Sequence, residues 1–126
     1  MEDLILALTA RLADSAVPLY LSDVVPENTA FPYVTAEIIA PLRTDKPGSI
    51  RLTIWSNSPN VNEVRMALHT TLMHHIPLRG FTLQSEKGRY ILRPETASLA
   101  QSGQARGICT PLEVYFYPAG KEADPA

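Results

Sequence analysis

The chain has 126 residues, 45% of them hydrophobic and 19% charged, with a formal net charge of −2. That composition suits one folded domain long enough to bury a core without staples, and it excludes a disordered or fibrous chain. A single cysteine, Cys109, excludes an intrachain disulfide and a thiolate metal cluster.

The chain opens on a helix predicted over Glu2 to Ala13. Leu4, Ile5, Leu8 and Leu12 form its apolar stripe, and Glu2 and Asp3 suit its positive N-terminal end. The same acids stand where a secretory signal carries bases, which points to folding in the cytoplasm. No apolar run is long enough to span a bilayer, so no membrane association is expected. Val17 to Leu21 reads as a short strand that Pro18 restricts to an edge or a strand start. A loop with two prolines follows, and Pro32 biases Phe31 toward an extended conformation. Tyr33 to Ala40 is β-rich and stops at Pro41. Leu42 to Gly48 is a polar connection carrying Arg43, Asp45 and Lys46.

The stretch from Ser49 to Ile76 carries the clearest pattern. Ile50, Leu52 and Ile54 alternate with Arg51, Thr53 and Trp55, as on a strand with two unlike faces. Ser58 or Asn60 can cap a following helix, with Val61, Val64, Leu68, Leu72 and Ile76 at spacings of three and four. Pro77 ends it. Arg79–Ser85 and Arg89–Pro94 read as strands joined by a hairpin at Glu86-Lys87-Gly88. Ala97 to Gly107 is poor in bulky residues and reads as a mobile loop. Ile108 to Tyr117 closes the sheet, with Leu112, Val114 and Phe116 alternating against Glu113, Tyr115 and Tyr117. Pro111 places this strand at an edge, or bulges it near its start. The expected fold is α+β: a mainly antiparallel sheet with two helices packed on one face. Residues 1–117 form the domain, and 118–126 a polar tail.

Catalytic and metal motifs do not emerge. His74 and His75 are adjacent and would point about 100° apart on a helix, and His69 is poorly spaced from both. Cys109 has no sequence neighbour that would stabilise a thiolate and reads as a buried, inert residue. No nucleophile elbow, phosphate loop or dinucleotide fingerprint occurs, and Gly103 to Gly107 lacks the strand-to-helix context such a loop needs. No enzyme activity and no cofactor are expected.

Charge draws attention to surfaces instead. Residues 1–37 hold six acids and one base; residues 43–106 hold nine bases against four acids. A bipolar chain can associate head to tail with its own copies, or hold a nucleic acid near the basic part. The plainer alternative is that the charges scatter over the surface and cancel. Candidate interface residues are Arg43, Asp45, Lys46, Arg51, Trp55, Arg79, Lys87, Arg89, Arg93 and Arg106. Trp55, Tyr115 and Tyr117 would join Arg51 and Arg93 on a sticky sheet face if no other element covers them.

The order of these segments resembles the tail terminator (tail completion) proteins of long-tailed bacteriophages and related particles. The resemblance covers roughly residues 3–117. It rests on Pro32-Tyr33-Val34, on the strand end at Trp55-Ser56 with Glu63-Val64 following, and on the last strand, LEVYFY. It implies a ring, commonly a hexamer, that caps the tail tube, stops its polymerisation and meets the head-side connector or neck protein. It further implies no catalysis, no cofactor, DNA passing through the lumen without sequence-specific binding, and a place at the head-proximal end of the virion tail. The Arg43–Lys46 loop or the Arg79–Arg93 hairpin would face the lumen or the tube. Two alternatives stay open: a head-closure or connector ring component, and a small nucleic-acid-binding module using Arg51, Thr53 and Trp55.

Overall fold

The computed structural model describes residues 2–13, 17–43, 46–56, 62, 74–77, 79–102 and 105–118. Helix α1 spans Glu2–Leu12. Seven strands follow among the described residues: β1 (Leu19–Leu21), β2 (Tyr33–Ala40), β3 (Gly48–Ser56), β4 (Phe81–Gln84), β5 (Gly88–Pro94), β6 (Ser98–Ser102) and β7 (Ala105–Pro118). They form one sheet in the order β1-β2-β3-β7-β5-β4, with β6 also paired to β7. β1 runs parallel to β2, and every other pairing is antiparallel.

This overturns the expected two-helix α+β layering. Among the described residues the molecule is mostly β, a curled mixed sheet with α1 as the one full helix. The predicted second helix falls mainly outside the described residues. Of that segment, Asn62, His74 and His75 are helical and Ile76 is fully buried. The segment read as a mobile loop contains β6, in register with β7 from Ser98↔Cys109 to Ser102↔Ala105. Small polar residues carry little strand propensity, so pairing with β7 outweighs local preference here.

Pro111 does not put β7 at an edge. β7 is internal, paired with β3 along one side and with β5 and β6 along the other. The Pro111 carbonyl accepts the Glu95 N–H at 2.8 Å, so the backbone at Pro111 faces the β5–β6 side. Pairing to β5 ends at Pro94↔Leu112, and pairing to β6 begins at Ser98↔Cys109. The missing proline donor therefore falls at the break between two neighbouring strands and costs the ladder little.

One sheet face is the core. Ile50, Leu52 and Ile54 stand opposite Leu112, Thr110 and Ile108 on β7, and all six are buried. Leu92 and Tyr90 on β5, then Phe81 and Leu83 on β4, extend this face. Helix α1 adds Leu4, Leu8 and Leu12 to the same cluster, while Leu6 stays 70% exposed. Thr110 is fully buried, and its hydroxyl has no hydrogen-bond partner among the described residues.

A polar clasp fixes the start of α1. Asp3 Oδ2 accepts from Ser85 Oγ at 2.5 Å and from Tyr90 Oη at 2.7 Å. The Ser85 bond first, and then the Tyr90 bond, hold the Asp3 carboxyl below its ordinary value of 3.8. Burial first, and then the Asp3 bond, push the Tyr90 phenol well up. The folded state thus binds the Asp3 proton less tightly than the unfolded chain. Stability from this clasp is complete above the ordinary carboxyl value and is lost as pH falls through the lowered one. Thermal melts of the native chain should lose more stability between about pH 5 and pH 2 than melts of Asp3→Asn. Parallel pH curves for the two proteins would rule out this role.

Candidate functional site

The sheet face opposite the core carries the candidate site, because strand alternation sends every second side chain there. It has two adjoining parts. On β2 and β3, Thr35 pairs with Thr53, Glu37 with Arg51 and Tyr33 with Trp55. The Trp55 indole N–H donates to Thr35 Oγ1 at 3.0 Å. Arg51 Nη1 donates to Glu37 Oε1 at 3.0 Å, with both side chains about half exposed. That ion pair is solvent-screened and adds little stability. Thr35, Glu37, Arg51, Thr53 and Trp55, with Cys109 and Ser98, line a groove of about 420 Å³. Cys109 is buried and free.

The second part lies on β5 and β7. Register places Arg89 opposite Tyr117, Ile91 opposite Tyr115 and Arg93 opposite Glu113. The Arg89 guanidinium carbon is 5.5 Å from the Tyr117 ring centroid, and that of Arg93 is 5.7 Å from the Tyr115 ring. Both separations are within cation–π range. The Tyr115 hydroxyl donates to Glu113 Oε1. That bond, then burial and the nearby Glu113 charge, raise the Tyr115 phenol against the opposing effect of Arg93. Arg93 and Tyr117 are exposed, and Arg89 and Tyr115 are half-buried.

Four of the sequence-predicted residues thus share this face: Arg51, Trp55, Arg89 and Arg93. The others do not join them. Arg43 and Lys46 are exposed in the β2–β3 connection, and Asp45 lies outside the described residues. Arg79 precedes β4 and Lys87 caps the β4–β5 turn, both exposed. Arg106 stands opposite Ser56 in the core-facing register and is half-buried. Sequence reading put Glu113 in the outward register without making it a site residue, and missed Thr35 and Glu37 as members of this face. Their alternation with Val34 and Ala36 was the available signal.

Among the described residues, no group of three or more His, Cys, Asp or Glu could hold a metal ion. His74 and His75 pack ring edge to ring face with centroids 5.1 Å apart, and His69 lies outside the described residues. No described helix is long and apolar enough to cross a membrane.

No family model and no curated protein matches this chain. Nine chains of solved structures do match. One, which bears no functional name, has a TM-score of 0.59 at 16% identity, over 94% of this chain and 98% of its own. That likeness shows the fold alone.

Proposed function

We propose that the chain is a structural ring subunit of a phage-type tail. In this reading it caps the tail tube, ends tube growth and joins the tail to the head-side connector, with DNA passing through the ring. It acts without catalysis or cofactor, at the head-proximal end of the virion tail, and a hexamer is the expected closure. The observation that carries the reading is the arginine–tyrosine lattice of β5 and β7 on an open sheet face. Tyrosine and arginine dominate the energetic centres of protein interfaces. The resemblance of segment order to tail terminators supports the same reading. A nucleic-acid module draws less support. Guanidinium groups already lie over the tyrosine rings, and Trp55 is tied to Thr35, which leaves fewer ring faces for base stacking.

Arg43 and Lys46 are exposed in the β2–β3 connection, which suits contact with the tube or its bore. The Arg43→Glu, Lys46→Glu double variant should fold normally, because surface substitutions of this kind move stability little. It should cap tubes at least about tenfold less well, by analogy with charge reversal at interfaces. Electron microscopy of tubes assembled with each protein measures this as overlong tails. Native tube lengths with the variant would remove the loop from the contact. Native lengths in particles lacking the chain altogether would overturn the tail-capping reading.

A further inference from the structure

Two parts of the sheet carry unlike surfaces. On the interior strands β5 and β7 stands the lattice of Arg89 and Arg93 on Tyr117 and Tyr115, with Glu113 held by the Tyr115 hydroxyl. At the β1–β2 end, residues 22–32 connect the two strands and expose Asp23 and Glu27 beside Val24, which is 59% exposed. Phe31, 37% exposed, closes that connection against Tyr33 with ring centroids 5.2 Å apart. Two backbone bonds brace it: Ser22 N–H to Ala36 O at 3.0 Å and Val24 N–H to Leu21 O at 3.1 Å. It is an acidic knob with apolar side chains on its surface.

We propose that the 22–32 knob of one copy docks on the β5–β7 arginine–tyrosine lattice of the next. This rests on the ring reading above and names the two halves of its interface. Three features favour a second copy as the occupant. The acids Asp23 and Glu27 complement Arg89 and Arg93 in sign, and the lattice side chains keep a positive formal charge with Glu113 counted (two bases, one acid). Val24 and Phe31 supply apolar surface for Tyr115 and Tyr117, as interface centres require. The 22–32 connection flanks the edge strand β1 and the lattice lies on the interior strands β5 and β7, so the two patches are different surfaces, the contact is heterologous, and repeated rotation can close it into a ring.

The test exchanges charge between the patches. One variant carries Arg93→Glu with Lys87→Glu, both exposed positions on β5 or in the turn before it; the other carries Asp23→Lys with Glu27→Lys. Each variant alone presents like charges across the contact and should associate at least about tenfold more weakly than the native chain. Mixed one to one, each variant finds its complement in the other, and assembly should return with the two proteins alternating. Light scattering reads the mass, circular dichroism checks the fold, and a mass tag on one variant reads alternation. Both variants assembling like the native chain would overturn this pairing of patches while leaving a ring intact. Loss in both with no recovery on mixing would also overturn it. A native chain that stays monomeric at every concentration, with and without tube ends, would overturn the ring reading and this contact with it.

Discussion

Leu112→Ala should lower the unfolding free energy by about 2–5 kcal/mol, the range for truncating a fully buried leucine. Leu112 has no exposed surface and stands opposite Ile50 on β3 and Pro94 on β5, near the middle of the core face. The alanine loses the transfer energy of the removed carbons and leaves a cavity that strands paired on both sides of β7 can only partly close. Domains of this size are stable by about 5–15 kcal/mol, so the variant should melt roughly 8–20 °C lower. Leu6→Ala is the control. Leu6 is 70% exposed on α1, and its truncation should cost less than about 0.5 kcal/mol. Denaturant titration of both variants decides the matter. A one-residue slip of β7 would send Leu112 to the open face and Glu113 into the core. A Leu112→Ala cost no larger than the Leu6→Ala cost would therefore overturn the register that positions the lattice.

Where one strand face is buried and the other wet, alternation alone marks the strand. β3 shows this, with Ile50, Leu52 and Ile54 inward; β2 alternates less cleanly and was marked by its β-rich composition, though Val34 and Ala36 also go inward. The β4–β5 hairpin was legible from Glu86-Lys87-Gly88, since Gly88 has φ of 155° and turns the chain cheaply. β6 was not legible. Ser98, Ala100 and Ser102 have no apolar period, and their strand exists because β7 offers unpaired backbone beside it. The parallel pairing of β1 and β2 was hidden for a related reason: it is a tertiary choice across an eleven-residue connection from Ser22 to Pro32. Pro111 misled in the opposite direction, because its missing donor matters only where a neighbouring strand would use it. The candidate site shows the same division. Sequence put Arg93 with Tyr115 and Tyr117 on one sticky face, but which ring each guanidinium covers follows only from the β5–β7 register.

Gly107 tests how the groove half of the face is built. It stands opposite Trp55, and it is buried. A Cβ placed there would lie 2.8 Å from the Ile54 carbonyl oxygen, 2.9 Å from Trp55 Cε3 and 3.0 Å from Thr53 Cγ2. The carbonyl belongs to the paired strand and cannot swing aside, so β3 and β7 must part or the indole must lift. Overpacking of this kind costs about 1–3 kcal/mol, and Gly107→Ala should fall in that range. Trp55 is the only tryptophan, so its fluorescence reports this site alone. An indole lifted from the sheet loses its bond to Thr35 and meets more water, and the emission should shift to the red. Thr35→Val removes only the hydroxyl that receives the indole proton, and should change emission with a smaller loss of stability. If Gly107→Ala left both stability and emission unchanged, β3 and β7 would have room the structure does not show. The close approach of indole to backbone could not then be what shapes the groove.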